Sequence, residues 1–184
     1  MATMPNPIEL FETEVQETRR IVAAVTPDQL TTPTPCSEWD VQALLNHMNG
    51  SANYLTTFLT GSGPAGATGS TSALDAYDAA TGAALKAAKA PGALEKKNQG
   101  PMGEMTGAQM MSFAFVDFFI HGWDLAKATG QNATLNPKLI EPCHNIVAPA
   151  IEFARQAKAF GPEVKVPADA RPQDKLLGLT GRKP

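Results

Sequence analysis

The stretch FAFVDFFIHGWDLAKATG, residues 113–130, decides the fold class of this chain. Apolar side chains occupy nearly the whole circumference of the helix that it predicts, and they are Phe113, Phe115, Val116, Phe118, Phe119, Ile120 and Trp123. A helix that is apolar on nearly all sides is normally buried in a protein core. Asp117, His121 and Asp124 interrupt the pattern at i, i+4 and i+7, which places them within one narrow arc.

This polar arc predicts a binding site inside a helical protein. Buried carboxylates and imidazoles must be paired or must coordinate a cation, because an isolated buried charge costs several kcal/mol. His47 lies on another predicted helix, beside the apolar stripe of that helix. His47, Asp117 and His121 would together supply two imidazoles and a carboxylate, a ligand set that suits zinc or nickel. Three protein ligands leave a coordination position open, as in catalytic metal sites.

The same spacing is also consistent with a site that holds no metal. Asp117 and His121 could form a local hydrogen bond, and His47 could be a core histidine with a satisfied partner. Asp124 has two interpretations, one of which is that it orients a ligand imidazole through the second ring nitrogen. The other, which we favour slightly from sequence alone, is a hydrogen bond to Trp123 or to a backbone N–H group.

The two cysteines, Cys36 and Cys143, are not predicted to act in the site. Cys36 precedes the second predicted helix, whose dipole would stabilise a thiolate. A small apolar side chain packed beside Trp39 is nevertheless the favoured interpretation of Cys36. Cys143 and His144 are adjacent, so their side chains diverge on a helix, and both are expected to be ordinary members of the fifth helix.

Composition excludes several classes of protein. The 184 residues carry 15 Lys and Arg against 18 Asp and Glu, without a basic run, so no nucleic-acid partner is expected. The N-terminal residues lack the basic and apolar regions of a signal peptide. No apolar run approaches the roughly 18 residues of a membrane span, and two cysteines make no disulfide framework. We therefore expect one cytoplasmic domain over residues 1–184.

Hydrophobic periodicity predicts an all-α fold, a four-helix bundle with an additional C-terminal helix and an extended tail. The second helix is expected to begin at a capping box of Ser37 and Asp40, and the fourth to end at Gly130. Residues 61–72 predict a mobile Gly- and Ser-rich loop, and residues 91–105 look irregular. The other predicted helices cover residues 8–25, 72–90, 106–129 and, more weakly, 137–160, before a short helix closed by Gly181.

Two motifs resemble a known family. The segments TPTPCSEWDVQALLNHMNG, residues 32–50, and VDFFIHGWDLAKATGQ, residues 116–131, are similar to the DinB-like, mycothiol-dependent maleylpyruvate isomerase superfamily. Together with the closing FGPEVKVPADA and LLGLTGRKP, they resemble more closely a group of actinobacterial metal-binding proteins of uncertain activity within it. The resemblance implies a four-helix bundle with a divalent metal ion in its core, and it carries the family's metal ligands onto His47, Asp117 and His121.

The resemblance has two departures. The maleylpyruvate isomerase has Glu as the middle ligand and many DinB-like proteins have His, whereas this chain has Asp117, which reaches about one methylene less far. The isomerase also has a separate C-terminal domain, and this chain is too short to contain it. We therefore do not expect the isomerase reaction itself.

Two hypotheses about function follow from the sequence. In the first, the chain is a metal- and thiol-dependent transferase or isomerase that acts on a small electrophile, with zinc as the favoured metal, nickel as the alternative and mycothiol as the implied thiol. In the second, it binds a metal ion or a small ligand without catalysis. No catalytic residue is assigned. A homodimer through an apolar face of the first or fifth helix is compatible with the sequence.

Overall fold

The computed structural model describes residues 6–63 and 72–184. The described residues fall into two compact units, the first extending to Asn132 and the second covering Ala133–Pro184. The expectation of a single domain stays a prediction. Most of the predicted Gly- and Ser-rich loop lies outside the described residues.

Four helices of the first unit pack as a bundle. Helix α1 contacts both α3 and α4, and helix α2 contacts the same two neighbours, so the four helices enclose one core. This arrangement confirms the predicted all-α, DinB-like fold. The helices are α1 (Pro7–Ala23), α2 (Val41–Thr60), α3 (Ala73–Ala88) and α4 (Gly107–Ala128).

Helix α4 forms the centre of this core. Phe115, Phe118, Phe119 and Ile120 are all 0% exposed, and the Phe118 ring meets Phe11 of α1 edge to face at 5.0 Å. Burying a side chain of this size contributes about 1.5–3 kcal/mol relative to leaving it in water. The apolar circumference predicted from residues 113–130 is therefore what holds α4 between α1 and α2.

The ends of α4 are close to their predicted positions. The Thr106 hydroxyl accepts from the Gln109 backbone N–H, and the Gln109 side chain accepts from the Thr106 N–H, which is a capping box. At the other end Gly130 has φ +68°, a left-handed conformation that glycine adopts without steric cost. The predicted glycine cap is thus confirmed.

Helix α2 begins later than predicted. Its N-cap is Asp40, whose side chain accepts from the Ala43 N–H, so the predicted capping box of Ser37 and Asp40 is wrong. Pro33 and Asp40 form an isolated antiparallel bridge instead, and this bridge holds residues 34–39 as a loop in front of the helix. The loop brings Trp39 and Cys36 to the first turns of α2.

A short β-hairpin occupies part of the segment that was predicted to be irregular. Strands β1 (Lys97–Gly100) and β2 (Gly103–Thr106) pair antiparallel, and Gly103 has φ +96° at the turn. Each strand has only four residues, too few for an alternating pattern to be recognised. The Asn98 side chain donates to the Phe58 carbonyl at 2.6 Å, which ties the hairpin to α2.

The second unit contains shorter helices than predicted. Helix α5 covers Pro137–Val147, a 3-10 turn follows at residues 148–150, and α6 covers Ile151–Gln156. The expected continuous helix over 137–160 is wrong because Pro149 has no N–H to donate and interrupts the helical hydrogen bonds. Helix α7 (Pro172–Leu179) is the predicted short helix, and Gly181 after it has φ +82°.

None of the described helices is long and apolar enough to cross a membrane.

A buried carboxyl group lies between α1 and α4. Glu14 is 4% exposed, and its Oε1 accepts a 2.6 Å hydrogen bond from the Thr18 hydroxyl. Burial raises the pKa of Glu14 to about 8, against the opposing effect of the Thr18 hydrogen bond. A Cβ atom at Gly122 of α4 would lie 3.0 Å from Glu14 Oε1 and would overlap Thr18 Oγ1. Helices α1 and α4 are therefore in close contact where Gly122 faces the side chains of Glu14 and Thr18.

We predict that Glu14 makes the protein less stable as pH rises. Its folded pKa is raised from 4.5 to about 8, so its contribution is fully present below about pH 4.5 and is lost progressively up to about pH 8, at roughly 1.4 kcal/mol per pH unit or less. Urea unfolding across this window should show a smaller decline for Glu14→Gln than for the parent. The exposed Glu9→Gln is the control, and equal slopes in all three proteins would contradict the prediction.

We also predict opposite effects for two glycine substitutions within helices. Gly122→Ala should destabilise the protein by about 1–3 kcal/mol, because the added Cβ forces α1 and α4 apart. Gly82→Ala in α3 meets nothing within 4 Å, so it should stabilise by about 0.5–1 kcal/mol through helix propensity. Urea midpoints of both variants measure the difference, and a neutral Gly122→Ala would show that the contact is loose.

Candidate metal centre

The structure brings the three predicted ligands together between α2 and α4. His47 Nε2 lies 3.0 Å from Asp117 Oδ1, and His121 Nε2 lies 3.5 Å from the same oxygen. One donor atom from each of the three residues falls within 4.8 Å of the other two. The packing of α2 on α4 thus converts two separated motifs into one cluster of two imidazoles and a carboxylate.

Asp117 has one oxygen in contact with both imidazoles and a second oxygen that is buried. Among the described residues Oδ2 makes no hydrogen bond of standard geometry, although the Ser51 hydroxyl lies close enough to the carboxylate to help lower its pKa. The side chain as a whole is 27% exposed. Burial alone would raise the pKa of Asp117, but the positive charge available on His121 and the hydrogen bond from His47 lower it below its usual value. Asp117 is therefore an ionised carboxylate at neutral pH.

The contact with Asp117 shifts the pKa of His47 upward. Burial lowers its pKa, whereas the hydrogen bond and the charge of Asp117 raise it, and the net pKa is raised. The carboxylate thus attracts positive charge to this side of α2, whether a proton or another cation supplies it.

His121 lies between two carboxylates. Its Nδ1 is 2.9 Å from Asp124 Oδ2, while its Nε2 faces Asp117 Oδ1. Asp124 is 0% exposed, one helical turn beyond His121. The sequence left this pairing as one of two interpretations of Asp124 and slightly favoured the other, a hydrogen bond to Trp123 or to a backbone N–H group.

Trp39 covers both imidazoles. Its ring centroid lies 4.5 Å from that of His47 and 5.5 Å from that of His121, and the two imidazole centroids are 4.8 Å apart. The indole is held by its loop, in which the Thr34 N–H donates to the Trp39 carbonyl. Its apolar surface limits the rotation of the two rings and removes water from one side of the cluster.

Cys36 is the site residue that sequence reasoning missed. Its Sγ lies 3.3 Å from Asp124 Oδ2 and 3.9 Å from His121 Nδ1, so its interpretation as an apolar filler is wrong. Cys36, His121 and Asp124 form a second group of donor atoms within 4.8 Å of one another. No periodic pattern could reveal this contact, because Cys36 lies in a loop 88 residues before Asp124.

The remaining histidine and cysteine lie elsewhere. Neither of the two donor groups found among the described residues includes His144 or Cys143. His144 is exposed on α5 and Cys143 is 0% exposed, as expected for ordinary members of that helix.

Comparison with known proteins identifies relatives that share most of the chain. A family model described as the mycothiol maleylpyruvate isomerase N-terminal domain matches residues 11–126, a span that contains the cluster. Two curated relatives, from Mycobacterium tuberculosis strains CDC 1551 / Oshkosh and ATCC 25618 / H37Rv, are each 32% identical over 167 residues, which cover 88% of this chain and 90% of theirs. Both are named as uncharacterized proteins. No solved structure matches the chain.

The position of Cys36 predicts how the native protein reacts with thiol reagents. Cys36 is partly exposed and Cys143 is fully buried, so a colorimetric disulfide reagent should modify one thiol per native chain and both in guanidinium. Cys36→Ser should remove the native reaction, whereas Cys143→Ser should leave it unchanged. Rapid modification of the folded Cys36→Ser variant would show that Cys143 is accessible instead.

Proposed function

Since this chain belongs to the family of the mycothiol maleylpyruvate isomerase N-terminal domain, we propose that it binds a divalent metal ion through His47, Asp117 and His121. We further propose that it uses the ion in a thiol-dependent transfer or isomerisation on a small electrophile. The family description supports mycothiol as the thiol.

The observation that carries the metal proposal is the position of His121. A neutral imidazole has one N–H and one lone pair, yet carboxylates face both nitrogens of this ring, Asp124 at Nδ1 and Asp117 at Nε2. One N–H satisfies only one of them, so either a second proton on the ring or a cation beside the other nitrogen supplies the missing positive charge. A divalent ion at Nε2 meets this need and also accepts the lone pair of His47.

The donor set fits such an ion. Two imidazoles and a carboxylate suit zinc and nickel, and the buried Oδ2 of Asp117, which makes no standard hydrogen bond in the described structure, supplies a further acceptor. Zinc is our proposed metal and nickel the alternative. Three protein ligands are the number found in catalytic zinc sites, where one position serves water or substrate.

The residues around the ligands suit thiol chemistry. A thiol that coordinates a divalent ion loses its proton and becomes a nucleophile at neutral pH. Trp39 shields the imidazoles on one side, so a bound thiol would meet less competing water. His47 and Asp117 are each about a quarter to a third exposed, which leaves the cluster accessible to a small molecule.

We predict that metal content depends on the cluster and not on histidine in general. Purified, untagged parent protein should hold close to one zinc or nickel ion per chain by elemental analysis. Structural zinc sites with four protein ligands bind with about 10–16 kcal/mol, or roughly 3 kcal/mol per ligand, so losing one of the three ligands here should weaken binding by roughly 100-fold or more. His47→Ala, Asp117→Ala and His121→Ala should therefore be metal-poor after dialysis.

The matched control is His144→Ala, because His144 is exposed on α5 and belongs to neither donor group. It should retain the metal content of the parent. A parent that stays metal-free after incubation with zinc and nickel would refute the proposed function. Equal metal loss in His144→Ala would point to nonspecific binding.

We predict metal-dependent consumption of a thiol. The metal-loaded parent should accelerate the reaction of mycothiol with a small electrophile such as a maleyl or chloroaromatic compound, and Asp117→Ala should not. Mass spectrometry of the products separates transfer, in which the thiol stays attached, from isomerisation, in which it is released. A metal-loaded parent that is inactive with every thiol tested would leave metal or ligand binding without catalysis.

A further inference from the structure

We infer that Asp124 is the positioning residue for His121: it holds the imidazole proton on Nδ1, so that Nε2 presents its lone pair to the metal-binding side. Cys36 is the second donor to the same carboxylate oxygen. Only the zinc-affinity test of this inference rests on the proposed function. The position of the proton in the metal-free protein does not depend on it.

The distances distinguish the two sides of the ring. Asp124 Oδ2 is 2.9 Å from Nδ1, within the range of a strong charge-assisted hydrogen bond, whereas Asp117 Oδ1 is 3.5 Å from Nε2. An ionised carboxylate can only accept, so with Asp124 ionised a hydrogen bond at 2.9 Å places the proton on Nδ1. The neutral ring then has its lone pair on Nε2, directed toward Asp117.

Burial also favours the proton on Nδ1, the ring nitrogen that faces Asp124. Asp124 is 0% exposed and the His121 side chain is 9% exposed, so water competes little for either group. Asp117 is 27% exposed, so water reaches it more than it reaches Asp124. The N–H is therefore worth more against Asp124 than against Asp117, since water screens a hydrogen bond to the more buried carboxylate less.

Cys36 is a further donor to Asp124. Its thiol lies 3.3 Å from the same Oδ2 that contacts His121, which anchors the carboxylate to the loop before α2. An orienting carboxylate of this kind raises the basicity of a ligand imidazole, and its loss typically costs 10–100-fold in metal affinity. Asp124 thus acts on the site through His121 without being a ligand itself.

The first test locates the proton in the metal-free parent. Nitrogen-15 NMR of the imidazoles, recorded over a pH range that reaches the neutral ring, should show His121 protonated at Nδ1 and bare at Nε2. In Asp124→Asn the amide can donate to Nδ1, so the proton should move toward Nε2. If Asp124 had only a structural role, Asp124→Asn would lower the free energy of unfolding without moving the proton.

The second test measures zinc affinity by competition with a chromophoric chelator. Asp124→Asn should bind zinc about 10–100-fold more weakly than the parent, whereas His144→Ala, which lies outside both donor groups, should bind zinc as the parent does. A proton on Nε2 in the parent overturns the inference, even if Asp124→Asn does not fold. Undiminished zinc affinity in Asp124→Asn overturns it as well.

The variants also separate this inference from the proposed function. If Cys36→Ala loses zinc while Asp117→Ala keeps it, the ion binds the group of Cys36, His121 and Asp124, and Asp124 is a ligand rather than a positioning residue. If the parent binds no metal, the proposed function fails, whereas the proton position in the metal-free parent still decides the role of Asp124.

Discussion

The site depends on one constraint: a single imidazole, that of His121, lies between two carboxylates inside a helix that is buried on nearly all sides. Asp124 contacts one ring nitrogen at 2.9 Å and Asp117 faces the other at 3.5 Å. Because one neutral ring offers one N–H, the arrangement calls for an additional positive charge. The approach of His47 to Asp117 at 3.0 Å supplies a further donor at the place where that charge is needed.

Two carboxyl groups beside or on helix α4 have opposite protonation states at neutral pH. On the side of α1, Glu14 lies against Gly122. Burial there raises the pKa of Glu14 to about 8. On the side of α2, two imidazoles outweigh burial and lower the pKa of Asp117. The first group is therefore mostly protonated at neutral pH and the second is ionised, as their neighbours dictate.

The ligand set that the resemblance implies is also the set whose donor atoms lie together in the structure. The matched family model spans residues 11–126, and Asp117 stands where the resemblance led us to expect a longer side chain in the isomerase. Asp117 nevertheless reaches both Nε2 atoms, so a shorter carboxylate is compatible with the cluster. This compatibility bears on ligand geometry and leaves the reaction of the chain as a proposal.

The amino-acid sequence by itself determined the helical fold and the arc of Asp117, His121 and Asp124, because helical periodicity is a local property of residues 113–130. It also determined the glycine cap at Gly130, which depends on one backbone conformation. Tertiary structure alone decided the pairing of Asp124 with Cys36 across 88 residues and the cover that Trp39 provides. These contacts depend on where a loop lies against a helix, and no spacing in the chain encodes that position.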